Sequence, residues 1–225
     1  MTDMWAPWNI GTAAALLIAA VFALALCVPL SRVAYRLPRA LDPGMPAEVS
    51  AVHRFYRIVF WLAGPLLALC CAWRFGATPA AVAAIVYVVA LLALAWIDAE
   101  TGFLPDLLTL PLLWLGLLVN LGGAFSPLAD AVVGAAGGYM ALWLLGGAFL
   151  LLTGRRGMGN GDFKLLAALG AWLGWMALPW ILLAASLLAL GVALGRRLAG
   201  NMDPGEPFSF GPYLAIIGIA ALLRL

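Results

Sequence analysis

Charge is what this chain has least of. Only 10% of its 225 residues are Asp, Glu, Lys or Arg, while 66% are hydrophobic and the mean hydropathy is +1.08. A soluble domain carries about 25% charged residues, so the composition leaves no room for a separate soluble domain and indicates a polytopic membrane protein. The net charge of +2 is too small to mark a nucleic-acid binder. Cysteine is nearly lacking too. Cys27, Cys70 and Cys71 lie in apolar runs, odd in number and without C-x-x-C spacing, which excludes a disulfide framework and a zinc ribbon. They read as small buried or lipid-facing residues. Histidine occurs once, at His53, with no Cys or carboxylate cluster beside it in the sequence. A surface histidine in a basic, headgroup-facing loop is expected there, and no metal site. Residues 1–9 contain Asp3 but no Lys or Arg, and about twenty apolar residues follow, enough to cross a bilayer. They read as the lead-in to a span and not as a cleavable signal peptide. No fixed-period repeat is evident.

What is present is a series of apolar runs, at 10–30, 57–75, 80–97, 107–123, 129–152, 163–175, 177–195 and 211–225, each punctuated by Gly, Pro or charge. They predict an all-α integral membrane bundle of about eight helices forming one domain, 1–225. Trp5, Trp8, Trp73, Trp175 and Trp180 fall near span ends, as interfacial aromatics do. The twelve basic residues are distributed unevenly. Arg32, Arg36, Arg39, Arg54, Arg57, Arg155, Arg156, Lys164, Arg196 and Arg197 fall on one side, and Arg74 and Arg224 on the other. The positive-inside rule then places both termini outside and three features in the cytoplasm. These are a proline-containing loop at 31–56, a short loop from Asp98 to Pro105, and a glycine-rich loop at 153–164.

The glycine-rich loop contains Gly157-Met158-Gly159-Asn160-Gly161-Asp162-Phe163-Lys164, set between long apolar runs. A carboxylate at the mouth of an apolar segment is costly unless it is paired, hydrated or used. Gly157, Gly159 and Gly161 allow positive φ and close approach of another chain. Asp98 closes the third run at the same predicted depth, 64 residues earlier in the chain. Two carboxylates within about 3–5 Å cannot both ionise easily. One keeps its proton, the other acts as base, and the pair titrates as a unit. Such a pair can activate water against a peptide carbonyl. By residue type alone Asp162 also reads as a helix N-cap, Asp98 as an interfacial carboxylate reaching water, and Asp106, after Pro105, as the N-cap of the fourth span. Asp130 falls at the opposite face. Glu100 shares the loop of Asp98 and is expected to be more exposed.

At these residues the chain resembles the type IV prepilin peptidases, integral-membrane aspartyl proteases with a GxGD signature. The likeness rests on Gly159-Asn160-Gly161-Asp162 within MGNGDFKLLAALGAWLGW, on Ala95-Trp96-Ile97-Asp98 followed by Leu104-Pro105-Asp106 and LTLPLLWLGLLVN, on Val33-Ala34-Tyr35-Arg36-Leu37-Pro38, and on Phe210-Gly211-Pro212-Tyr213-Leu214-Ala215. The resemblance implies Asp98 and Asp162 as the catalytic pair. It implies prepilins or pseudopilins as substrates, with a short basic leader ahead of an apolar helix, cut after a glycine at the cytoplasmic face of a bacterial inner membrane. The glycines would let the loop move as the site assembles. Glu100, Asp106, Asp203 and Glu206, and Lys164 beside them, are the candidate contacts of the leader. Proteolysis by two carboxylates requires no cofactor and no metal. Members of the family that also methylate the new N-terminus from S-adenosylmethionine carry a domain with two C-x-x-C pairs after the first span. This chain has only the short 31–56 loop there, so it resembles a core-only version, and no G-x-G-x-x-G after a strand supports a methyl-donor site. The readings that compete are an archaeal-type preflagellin peptidase, a small membrane transporter or proton channel, and a non-catalytic scaffold. Oligomeric state is not legible in the sequence.

Overall fold

In lipid a backbone must satisfy its own hydrogen bonds, so apolar runs of this length fold as helices. The computed structural model describes residues 7–41, 50–154, 159–200 and 209–224. Among the described residues there are eight α-helices and no strands: α1 (Thr12–Leu41), α2 (Ala51–Phe75), α3 (Pro79–Thr101), α4 (Asp106–Val119), α5 (Leu128–Thr153), α6 (Asn160–Leu173), α7 (Leu178–Leu198) and α8 (Gly211–Arg224). Five of these segments are long and apolar enough to cross a membrane: those of α1, α2, α3 and α5, and Trp175–Leu198, which contains α7. The chain is a multi-pass membrane protein. Helices α4, α6 and α8 have 14 residues each, about 21 Å of helix against a hydrocarbon core of about 30 Å.

Of these short helices, α6 is the one its neighbours enclose. In α6 every residue from Leu165 to Leu173 is buried. A helix that is apolar all round belongs inside a protein. Helix α6 packs on α4, α5, α7 and α8, and α3 packs on α1, α2, α4 and α8. These two central helices carry the two aspartates of interest.

Close packing in the centre depends on missing side chains. A Cβ on Gly170 would lie within van der Waals overlap of the Gly134 carbonyl, and a Cβ on Gly138 would lie 2.8 Å from the Leu166 carbonyl oxygen. The backbones of α5 and α6 therefore touch, as small residues permit between membrane helices. At the far end of α6, Asn120 Nδ2 donates to the Ala171 and Trp172 carbonyls, both at 2.9 Å, while its Oδ1 accepts from the Phe125 and Ser126 amides at 3.0 Å. One buried amide thus ties the α4–α5 turn to α6. Trp172 Nε1 donates to the Leu112 carbonyl at 2.8 Å, its ring seated where a side chain on Gly116 would otherwise be.

The helices run further than the sequence suggests. The predicted 31–56 loop is helical up to Leu41 and again from Ala51. Pro29 and Pro38 lie within α1 and do not end it. Each withdraws one N–H, but the buried face of Ala19, Ala23, Cys27 and Ala34 keeps the helix in register. The predicted 153–164 loop is narrower, since α5 extends to Thr153 and α6 begins at Asn160. Gly157 lies outside the described residues.

Candidate active site

The end of α3 is held from several sides. Gly102 adopts φ +64°, and its N–H closes the helix on the Asp98 carbonyl at 2.8 Å. That left-handed conformation is one glycine adopts without cost. Ser209 Oγ donates to the same carbonyl at 2.8 Å. The Asp98 side chain, 4% exposed, accepts at Oδ2 from the Gly211 amide at 3.0 Å. Gly211 is the first residue of α8, so this amide is one of the donors that a helix start leaves without an intrahelical partner. A Cβ on Gly211 would sit 2.7 Å from Asp98 Oδ2. The chain approaches the carboxylate this closely only because the residue is glycine.

Asp162 stands in the first turn of α6 and is 7% exposed. Gly159 is the N-cap residue, at φ −78° and ψ 148°, with no side-chain cap. The sequence expectation that Asp162 serves as N-cap is therefore corrected: it sits three positions further in. Its Oδ1 is buried and has no hydrogen-bond partner among the described residues. Gly159 does not use the positive φ that glycine allows. Gly161 is the close-packing glycine, since a Cβ there would lie 2.7 Å from Leu104 Cβ. Leu104 also lies 3.1 Å from the position of a Gly211 Cβ. It therefore wedges between the turn bearing Asp162 and the turn gripping Asp98.

Asp98 and Asp162 line one cavity of about 720 Å³, together with Leu104, Asp106, Gly161 and Lys164. Two buried carboxyls bordering one cavity, one gripped by a backbone N–H and one with an unpartnered oxygen, make a pair that can hold and hand over a single proton if they meet.

Two expectations about the surroundings change, those for Asp106 and His53. Asp106 is the first residue of α4, after an N-cap at Pro105, and it does not cap the helix itself. Lys164 Nζ binds both its carboxylate oxygens, at 2.6 and 2.7 Å, across the cavity mouth. His53 is not a surface residue: it is 1% exposed, and its Nδ1 lies 2.8 Å from Glu100 Oε2. Its ring packs on Tyr35 and Trp96 at centroid distances of 5.4 and 4.9 Å. Glu100, its side chain 15% exposed, is the more exposed of the loop's two carboxylates as expected, and Trp96 Nε1 also donates to it at 3.0 Å. The helical ends of α1, α2 and α3 converge there, which a reading of 31–56 as loop does not anticipate. Asp203 and Glu206 lie outside the described residues. Asp130 is far from this cavity and accepts from Trp175 Nε1 at 3.2 Å.

Sequence reasoning assigned no role to Gly211, Ser209 or Leu104. The available signals were the Phe210-Gly211-Pro212 and Leu104-Pro105-Asp106 runs, polar or conformationally special residues bordering apolar helices.

The Type IV leader peptidase family matches residues 85–194, a stretch that holds both aspartates. A "Prepilin leader peptidase/N-methyltransferase" of Aeromonas hydrophila is 49% identical over 180 residues, covering 80% of this chain and 61% of that protein. Proteins of the same description from Pseudomonas aeruginosa and Neisseria gonorrhoeae are 49% and 48% identical, over 77% and 72% of this chain and 60% and 55% of theirs. The chain thus spans about 60% of the length of the Aeromonas and Pseudomonas relatives. No solved structure matches it. With the family's segment running through α3 to α7 and nearly half the residues shared with these relatives, the chain belongs to the type IV leader peptidase family.

Proposed function

We propose that this chain is a membrane aspartic endopeptidase that removes the basic leader from prepilins or pseudopilins, with Asp98 and Asp162 as its catalytic pair. The observation that carries the proposal is the convergence of two buried carboxyls, from the two most enclosed helices, on one cavity. One carboxylate takes a proton from water as the water oxygen attacks the scissile carbonyl carbon. The other gives its proton to the carbonyl oxygen. The tetrahedral diol then collapses, the C–N bond breaks, and the leaving amine takes up a proton from the pair. No acyl-enzyme forms, and no metal or nucleotide enters any step. The peptide must be extended at the cut, because a helical amide is already hydrogen-bonded to its own chain.

The positive-inside pattern supports a cytoplasmic position for this cavity, and the family resemblance implies a bacterial inner membrane and cleavage after a glycine. Asp106 is the candidate anchor for a leader cation, which would displace Lys164 from it. Glu100, held by His53, supports the α3 end in preference to meeting the leader. Asp203 and Glu206 remain candidate leader contacts on the same side. The relatives' names also include N-methyltransferase. S-adenosylmethionine would be required only for that second activity, and no step of the proteolysis passes through it.

The test is cleavage of a prepilin by the purified chain in detergent. Asp98→Asn and Asp162→Asn should each lower the rate by roughly 10²–10⁴-fold, the range of acid–base catalysis, with insertion and folding retained. Full activity in either variant refutes the pair, and proton flux into liposomes without cleavage would indicate a transporter instead.

A further inference from the structure

A second cavity opens on the flank of the bundle, between α5 and α7. It measures about 530 Å³ and is apolar apart from Ser186. One wall is Leu142, Leu145, Gly146 and Phe149, spaced as one face of α5, and the other includes Ser186, Ala189, Leu190 and Ala193, one face of α7. Its rims are open: Leu145 is 58% exposed, Phe149 45% and Leu190 65%. Its floor is not, with Leu142 at 2% and Ala189 at 6%. Helix α5 lies beside the start of α7 near Trp175–Ala177, and the groove occupies the space beyond that contact.

The groove is linked to the aspartate cavity through two adjoining residues of the chain. Phe210 lines the groove, and Phe210 immediately precedes Gly211, whose amide binds Asp98. Gly146 in the α5 wall lies over Phe163, since a Cβ there would be 3.1 Å from Phe163 Cζ. Phe163 immediately follows Asp162. The residue before the glycine that grips Asp98 therefore lines this groove, and the residue after Asp162 packs behind its α5 wall.

We infer that this groove seats the apolar transmembrane helix of the peptide substrate and delivers the adjoining extended segment to Asp98 and Asp162; the inference rests on the peptidase reading above. Both walls belong to membrane-crossing segments, so the occupant reaches the groove from within the bilayer. The groove adjoins a peptide-hydrolysing pair, which selects a peptide over an acyl chain. Gly146, Ser186, Ala189 and Ala193 keep the walls low enough for a helix backbone to come close. Specificity then has two parts, a leader read in water and a helix read in lipid.

The experiment uses the full chain in phospholipid vesicles and two synthetic peptides. Both carry a lysine-rich leader ending in glycine. One continues for a few residues, the other into an apolar helix of about 20 residues, long enough to span. Ser186→Trp and Ala193→Trp fill the groove. The ratio of kcat/KM for the long peptide over the short one should fall at least tenfold in each variant. An unaltered ratio overturns the inference while leaving the peptidase reading intact. If the wild-type chain cuts neither peptide, the peptidase reading fails and the groove assignment falls with it. Should the tryptophan variants not fold, a photoreactive side chain at Leu190 in the Asp162→Asn protein decides. An adduct with the long peptide supports the groove. Adducts only with lipid, only with a second copy of the chain, or only from a control position at Leu62 on α2 overturn it.

Discussion

At Asp98 a carboxylate is gripped by main chain. The Gly211 amide and the Ser209 hydroxyl reach this residue from the start of α8, a segment more than a hundred residues later. Gly211→Ala would place a methyl group 2.7 Å from Asp98 Oδ2. A displacement on the order of 1 Å in a catalytic group can cost about 10²-fold. We expect kcat to fall about 10–100-fold on that scale, with a smaller change in KM, in steady-state cleavage assays. His53 acts one step further away. His53→Ala leaves the partly buried Glu100 with Trp96 as its remaining partner, so unfolding in mixed micelles should show a loss of roughly 1 kcal/mol, the low end of the penalty for a polar group left short of partners. Retention of wild-type stability would mean that water already satisfies Glu100.

At the scale of elements, α6 is positioned by contact with α5. Where the Gly134 and Gly170 backbones meet there is no space for a side chain. Gly170→Val must push the two helices apart. Overpacking of this kind costs typically 1–3 kcal/mol, more when backbone is struck, so we expect a loss of at least about 2 kcal/mol. Cleavage should fall as well, because the same helix carries Asp162. Gly147 is the control. A Cβ there meets nothing within 4 Å, and Gly147→Ala should be neutral or stabilising by roughly 0.5–1 kcal/mol from helix propensity alone. Equal effects of the two substitutions would contradict the close contact of α5 with α6.

At the scale of the whole molecule, the bundle has two unlike ends. One carries the aspartate cavity and most of the arginines. The other carries the α2–α3 turn, where Trp8 donates its amide to the Ala77 carbonyl at 2.7 Å. A cysteine at exposed Phe103 should react with a membrane-impermeant maleimide from the cytoplasmic side, and one at exposed Trp8 from the opposite side. Labelling of both from one side would reverse the orientation proposed for the active site.

Long apolar runs interrupted by Gly and Pro announce helices, because no other structure satisfies an isolated backbone in lipid. Helix number and the position of Asp98 and Asp162 near helix ends follow from that alone, since each residue's place along a helix depends on its own neighbours in sequence. What lies across a helix from a given residue depends on packing among distant segments. His53 meets Glu100 from 47 residues away, and Lys164 meets Asp106 from 58. A lone histidine in a basic stretch carries no sign of the carboxylate that will bury it. Nor does a glycine beside a proline show that its amide will face an aspartate. Those juxtapositions come from the way α3 and α6 are enclosed by their neighbours. Local sequence decided that each aspartate ends up at a helix end, and tertiary packing decided that the two share one cavity.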